Sequence, residues 1–207
     1  MKATRANFLP EQRFVTLRPA LQEYLAKLGA AITPENFLSI CDEMVRKLLT
    51  DTFARISANE GSIWLLDPEK QHLVVAYNSG PNTEEIMGFK QPVSQGIVSL
   101  VVASEHAFVE NQVYKNAKHS ATLDKKLHKT TYAMIAVPLY FLNEVRGAIS
   151  CVQLLDVMVD GGRAAATGET PSGFGPPELN AIQTIAAVVR DLIDYRLLGT
   201  AVGWNRL

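Results

Sequence analysis

Apolar side chains recur at steps of three and four residues at both ends of the chain, the spacing of a helix with one buried face. Residues 13–31 carry the first stripe. A second helix is predicted to begin at Thr33, where a hydroxyl cap precedes a proline and an acid. Its apolar face is expected to hold Phe37, Ile40, Cys41, Met44 and Leu48. A long closing helix is predicted from Pro177 to about Leu198, because its apolar residues keep near-heptad spacing.

Between these helices the apolar pattern changes to that of strands and short buried helices. Strands are predicted at 61–67 and 71–79, joined by a turn at Asp67–Lys70, with further extended pieces at 88–93 and 107–111. Short helices are predicted at 96–104, with Ser94 as a possible cap, and at 119–130, where Asp124 stands four residues before His128 and forms a local pair with it.

The most apolar part of the chain is residues 132–156, which form two segments separated by a turn at Leu142–Glu144. Neither segment alternates cleanly between polar and apolar residues, so both faces of this hairpin are expected to be covered. The sequence therefore predicts an α+β fold with a central antiparallel sheet. Its terminal helices cover one face, and a helix and loop lid, residues 94–131, covers the other. Pro138 is expected at a bulge or on an unpaired side of its strand.

Three regions are expected along the chain. Residues 1–33 form an N-terminal helical extension, residues 34–198 form the domain, and residues 199–207 form a C-terminal tail. Within the domain, residues 156–175 are rich in glycine and small side chains and are predicted to be a flexible loop.

The composition narrows the functional classes. A formal net charge of −1 argues against nonspecific nucleic-acid binding, and the absence of any run of about 18 apolar residues argues against a membrane span. The two cysteines, Cys41 and Cys151, both lie in apolar segments and do not have the spacing of a zinc site. They suit buried thiols in a reducing cytoplasm, so a cytoplasmic location is expected.

Several local stretches resemble the GAF domain family from about Phe37 to Leu198. The glycine-led run 96–105, the strand 107–111, the hydrophobic-Pro-hydrophobic step at 134–139 and the glycine-led strand 147–154 are similar to the family's pattern, with Phe174 and Glu178 opening the closing helix. The resemblance implies a sensory fold with a small-molecule pocket between the sheet and the lid. The implied ligand-binding residues are Ser94, Gly96, Ile97, Asn111, Tyr114, His119, Leu123, Leu127, Met134 and Ala136.

The sequence also departs from known branches of that family. Cyclic-nucleotide-binding members carry an Asn-Lys pair where this chain has Asp156-Val157, so the cationic half of that motif is missing. Free methionine sulfoxide reductases and bilin-binding members use lid cysteines, and residues 80–131 contain none. The resemblance therefore implies a non-catalytic module with an unidentified ligand, and the sequence names no cofactor.

The apolar stripes of the two terminal helices predict a homodimer, because together they carry more apolar surface than one sheet face can cover. The expected interface residues are Leu17, Leu21, Leu28, Ile182, Val189 and Ile193. Ligand binding would change helix packing and pass a signal to a separate protein. Two alternatives stay open. One is an interaction scaffold whose pocket is closed by Tyr114, Leu123, Leu127 and Met134. The other is an enzyme for small anions that uses His119 or His128 within the basic cluster 115–129.

Overall fold

The computed structural model describes residues 12–155 and 170–204. The α-helices are α1 (Gln12–Ala30), α2 (Glu43–Arg55), α3 (Thr83–Ile86), α4 (Gly96–Ser104), α5 (Thr122–Leu127) and α6 (Pro176–Val202). The strands are β1 (Glu60–Leu66), β2 (His72–Ser79), β3 (Lys90–Pro92), β4 (Phe108–Asn111), β5 (Thr130–Phe141) and β6 (Glu144–Leu155). Two 3-10 turns lie at Phe37–Ser39 and Val113–Lys115.

The six strands form one antiparallel sheet in the order β3-β2-β1-β6-β5-β4. The predicted hairpin is its longest element, with β5 and β6 paired from Thr130 opposite Leu155 to Phe141 opposite Glu144. The two turn residues, Leu142 and Asn143, both have positive φ (51° and 67°), as the mirror-image hairpin turn requires. The α+β prediction with a central antiparallel sheet is confirmed.

Each face of the sheet has its own apolar core. On one face α2, α6 and the turn at Phe37 pack against the sheet, with Val45, Leu49, Ile182 and Val189 fully buried. On the other face α3, α4 and α5 cover the sheet through residues such as Ile86, Ile97 and Leu123. The predicted layers, terminal helices on one side and lid on the other, are thus present. α1 packs mainly against α6 and is exposed along most of its length.

The edge strand β4 explains how the sheet accommodates Pro138. Phe108, the first residue of β4, pairs with Ala136, so Pro138 lies past the end of the edge strand. Of the strands that the structure describes, none pairs with β5 on that side at the proline, which fits its missing N–H. The prediction of an unpaired side is confirmed.

The helix predicted from Thr33 is interrupted. The Asn36 side chain accepts a hydrogen bond from the Thr33 N–H (2.8 Å) and donates one to the Ala31 carbonyl, which fixes a turn there. α2 starts again at Glu43, where the Asp42 carboxylate caps the Val45 N–H (2.9 Å). The restart shifts the helical phase, so Met44 and Leu48, predicted to be buried, are exposed.

Part of the predicted flexible loop is held in place. Residues 156–169 lie outside the described residues. Phe174 is buried (4% exposed), and the Gly173 N–H donates to the Gln153 side chain (2.9 Å), so these two loop residues are anchored to the sheet. The division of the chain into an extension, a domain and a tail stays a prediction, although α6 runs past Leu198 to Val202. None of the described helices is both long enough and apolar enough to cross a membrane.

Candidate functional site

The space predicted as a pocket beneath the lid is filled by the chain's own side chains. Ile97, Met134 and Ala136 are buried there, and Leu123 and Leu127 pack against them. The same cluster contains Trp64, Leu73, Val75, Val98, Val101 and Ala148. All five predicted site residues in this group therefore belong to the core rather than to an open pocket.

An open cleft lies at the edge of the lid instead. It has a volume of about 630 Å³ and runs between the first turn of α4 and residues 117–120. Three predicted site residues, Ser94, Gly96 and His119, line it. Gln95, Lys118 and Ser120 also line it. Of these, Lys118 belongs to the basic cluster 115–129 noted in the sequence, whereas Gln95 and Ser120 were missed by sequence reasoning. Its volume is in the range of ordinary small-molecule sites.

The first turn of α4, which lines this cleft, has no side-chain cap. Gln95, not Ser94, is the N-cap residue, and its side chain forms no capping hydrogen bond with the amides of that turn. Beneath the turn, the buried Gln91 donates to the Gln95 carbonyl (2.7 Å) and to Ser99 Oγ (3.3 Å). The N–H groups at such a helix start attract anions.

Gly96 permits this arrangement. Its φ is +79°, which disfavours any side chain, and a Cβ there would lie 2.6 Å from Gln91 Nε2. The glycine at the start of a predicted helix was the available sequence feature that pointed to this turn.

A buried carboxylate orients His119 on the opposite wall. Asp124 accepts hydrogen bonds from the Thr131 N–H (2.9 Å) and hydroxyl (2.7 Å), and it contacts His119 Nε2 at 3.0 Å. Burial alone would raise the pKa of Asp124, but the hydrogen bonds from His119 and Thr131 outweigh it and lower the pKa. The pair leaves His119 Nδ1 as the ring nitrogen not engaged by the carboxylate.

The predicted local pair between Asp124 and His128 is wrong. His128 caps the end of α5 with a left-handed backbone (φ 53°) and is exposed, whereas Asp124 faces His119 and Thr131. The i,i+4 spacing could not identify this partner, because α5 ends at Leu127 and His128 leaves the helical conformation.

Two further predicted ligand-binding residues lie away from the cleft. The Asn111 side chain is hydrogen-bonded to the backbone of Phe174. Tyr114 contacts the ring of Tyr132 (6.4 Å between centroids), which packs on the core of the α2 and α6 face. Neither residue lines the α4 cleft, and both make structural contacts elsewhere, so their part in ligand binding stays a prediction.

The predicted dimer residues fall into two groups. Leu17 and Leu21 on α1 are 61% and 48% exposed, and Leu28 is half-buried. Ile182, Val189 and Ile193 on α6 are fully buried, because this stripe of α6 faces its own sheet. The assignment of these three to a dimer interface is therefore corrected. The terminal helices expose other apolar residues, namely Val15, Tyr24, Val188, Tyr195 and Val202, and Trp204 is exposed just beyond the end of α6.

The described part of the chain offers no cluster of three or more metal-binding side chains. Both cysteines are free and buried. Burial raises the pKa of Cys41 to about 11 and that of Cys151 to about 12, so neither thiol is activated.

Comparison with known proteins identifies the fold of this chain, but it does not identify a family to which the sequence belongs. No family model matches the sequence, and no curated protein matches it. Among solved structures, the GAF domain of a Coxiella burnetii phosphoenolpyruvate-protein phosphotransferase is 14% identical with a TM-score of 0.60, covering 91% of this chain and 97% of that one. The GAF domain of the Acinetobacter phosphoenolpyruvate-protein phosphotransferase is 19% identical with a TM-score of 0.54, covering 94% and 99%.

A third similar structure corrects the expectation of a non-catalytic module. The free methionine-R-sulfoxide reductase of Neisseria meningitidis, solved with its substrate, is 15% identical with a TM-score of 0.52, covering 92% of this chain and 96% of that one. Because an enzyme shares the architecture, the fold gives no ground for excluding catalysis. The fold of this chain is that of a GAF domain.

Proposed function

We propose that this chain is a regulatory module that binds a small anionic molecule in the cleft between α4 and residues 117–120. The observation that carries the proposal is the convergence of three groups on one open cleft. These are the uncapped first turn of α4, the ammonium group of Lys118 and the imidazole of His119. The helix start and the ammonium group favour a negatively charged partner, and the imidazole adds a polar ring nitrogen, Nδ1, that Asp124 does not engage.

The preorganisation of His119 supports ligand binding over a purely structural role. Its side chain is 11% exposed, and Asp124 fixes its orientation while Thr131 fixes Asp124. A ring held in this way loses little conformational entropy when it binds a ligand. The ligand class that fits is a metabolite with one phosphate or carboxylate group, placed at the start of α4.

The proposal is tested by isothermal titration of the purified chain with nucleotides, amino acids and 2-oxo acids, with native mass spectrometry for bound compounds. We expect at least one saturable ligand, and the Lys118→Ala and His119→Ala variants should weaken its binding about tenfold or more. Lys47→Ala is the matched control, since Lys47 is an exposed lysine on α2, outside the cleft. Absence of any bound compound, or equal affinity in all variants, would contradict the proposal.

We further propose that the module works as a homodimer through α1 and passes its signal to a separate protein. The supporting observation is the exposed apolar stripe of α1, which includes Leu17, Leu21 and Tyr24. Ligand binding at α4 would then change the packing of the terminal helices between two states. The buried free thiols fit a cytoplasmic location.

A second candidate is an interaction scaffold that binds no metabolite. It is favoured by the packed lid core, where Ile97, Met134 and neighbouring side chains occupy the space beneath the lid. The same titrations distinguish the ligand-binding module from the scaffold. A scaffold would bind no compound in the α4 cleft, yet would still associate through α1.

A further inference from the structure

A β-bulge in β6 turns one arginine away from the regular strand pattern. In the register of β5 and β6, Leu139 faces Gly147 and Tyr140 faces Val145, so Arg146 has no partner residue on β5. The pairing with β1 ends at Leu65 opposite Gly147, so Arg146 is unpaired there too. Bulges re-aim side chains in this way, and here the guanidinium is directed to the C-terminal end of α1.

α1 makes room for this guanidinium at its one glycine. Gly29 is the only buried residue among those of α1 whose burial is described. A Cβ at this position would lie 3.2 Å from Arg146 Nη2. Glycine within a helix lowers helix stability by about 1 kcal/mol relative to alanine. At this position, that loss of helix stability accompanies a close contact between the α1 backbone and Arg146.

Arg146 is largely buried but has few partners. Its side chain is 15% exposed. Among the described residues its single ionic partner is Glu144, with 3.6 Å between nitrogen and oxygen, and that glutamate is 60% exposed. A guanidinium has five N–H donors, and here none of them makes a hydrogen bond to another described residue. No nitrogen of this guanidinium is fully buried without a partner, so its free donors reach the open space of the adjoining clefts, where a ligand can accept hydrogen bonds from them.

Two adjoining clefts meet at this arginine. One, of about 510 Å³, lies between α1, the β5–β6 turn and α6, with Leu25, Leu142 and Leu198 among its walls. The other, of about 440 Å³, extends toward Leu65 and Ile32. Ala26, Phe141, Glu144 and Arg146 line both. The walls are mainly apolar, and Arg146 supplies donors at the point where the clefts join.

We propose that these joined clefts bind a small aliphatic monocarboxylate, with its carboxylate on Arg146 and its chain along the apolar walls. The fork of the guanidinium matches a carboxylate in a bidentate manner. The site lies on the α1 side of the sheet, separate from the α4 cleft, so it does not depend on the function proposed above.

Two of the three acidic groups that line the clefts are engaged by other partners and not by this arginine. Asp194 accepts the Leu142 N–H (2.8 Å), and Asp67 accepts the Gln71 N–H (2.8 Å) and faces His72. Glu144 remains, and it is exposed enough to move into solvent when a carboxylate binds. The nearby acids favour a singly charged ligand over a phosphate, because each added negative charge raises the repulsion.

Octanoate is a suitable probe for the intact chain. Isothermal titration should show saturable binding, and octanamide, the neutral isostere, should bind about 10- to 100-fold more weakly, because the contact with Arg146 loses its charge. Arg146→Gln should cause a loss of the same size. Hydrogen exchange of the last turn of α1 should slow when octanoate binds, since the ligand would bridge α1 to the hairpin.

A second variant covers the case in which Arg146→Gln does not fold. Ala26→Trp places a large ring on the exposed side of α1 where both clefts meet, and it should abolish octanoate binding. Lys47→Met, at an exposed lysine on α2 outside all three clefts, is the control and should leave octanoate binding unchanged. Absence of binding up to about 10 mM, or equal binding of octanoate and octanamide, overturns the proposal. Unchanged affinity in Ala26→Trp overturns it as well.

Discussion

The side chain of Asn111 makes two hydrogen bonds with the backbone of Phe174, a residue 63 positions later in the chain. Asn111 Nδ2 donates to the Phe174 carbonyl (3.0 Å), and Asn111 Oδ1 accepts the Phe174 N–H (2.8 Å). The amide thus joins the end of β4 to the entry of α6. This residue, predicted to bind a ligand, fixes the closing helix.

Replacing this amide should lower stability without affecting the cleft. We expect Asn111→Ala to reduce the free energy of unfolding by about 1–2 kcal/mol, since two hydrogen bonds are lost at a part-buried site. Urea denaturation measures this loss. Ser172→Ala, an exposed change in the same segment, should stay within about 0.5 kcal/mol. Equal stability of the two variants would show that the Asn111 contact is not needed.

The buried carboxylate of Asp124 should make stability depend on acidic pH. Its pKa is lowered from the ordinary value of 3.8, because the hydrogen bonds from His119 and Thr131 outweigh the effect of burial. The unfolded chain therefore binds more protons near that pH. The contribution of Asp124 is present above pH 3.8 and is lost as pH falls through the lower folded pKa.

Unfolding of the wild type and Asp124→Asn between about pH 3 and pH 6 measures this dependence. The variant should lose about 1–3 kcal/mol near neutral pH and should show a flatter decline toward acid. Asp51→Asn is the control, because Asp51 is half-exposed on α2 and, within residues 12–155 and 170–204, forms its ion pair with Lys47 alone. Parallel acid profiles for the wild type and Asp124→Asn would contradict the assigned hydrogen bonds.

The two cysteines should be unreactive in the folded protein. Burial raises the pKa of Cys41 to about 11 and of Cys151 to about 12, so the thiolate fraction at pH 8 is below about one per cent. Ellman's reagent should report almost no thiol before denaturation and two afterwards. Ser94→Cys provides a positive control in the open cleft and should react at once. Rapid labelling of the native wild type would show that the thiols are accessible.

Charge introduced on the exposed stripe of α1 should weaken a dimer. We expect Leu17→Lys combined with Leu21→Lys to raise the dissociation constant about tenfold or more in analytical ultracentrifugation, because two apolar contacts become charged. Met44→Lys on α2, with similar exposure (52%), is the control. A monomeric wild type, or a dimer unaffected by the double substitution, would rule out this interface.

Much of the fold could be predicted from the sequence because its strongest patterns are local. The apolar run 132–156 and the glycine-led helix at 96–104 appear as β5, β6 and α4. The phase of α2 could not be predicted, since Asp42 restarts the helix after a turn made by Asn36. Periodicity alone does not show such side-chain contacts.

The candidate site was predicted less well, because it depends on contacts between distant residues. The apolar stripe of α6 gave no indication of whether it faces its own sheet or a second copy, and Ile182 and Val189 proved to face the sheet. The unpaired position of Arg146 follows from strand register, which a single sequence does not fix. His119 was identified, but its partner Asp124 was assigned to the wrong histidine.

Amide chemical shifts of the labelled protein, recorded while metabolite anions are added, test the α4 cleft most directly. We predict that one class of phosphate- or carboxylate-bearing compound shifts the amides of Gly96–Ser99 together with those of Lys118–Ser120, and that His119→Ala removes the effect. Shifts confined to the buried lid core around Trp64 and Met134, or no saturable shift with any compound, would contradict the account.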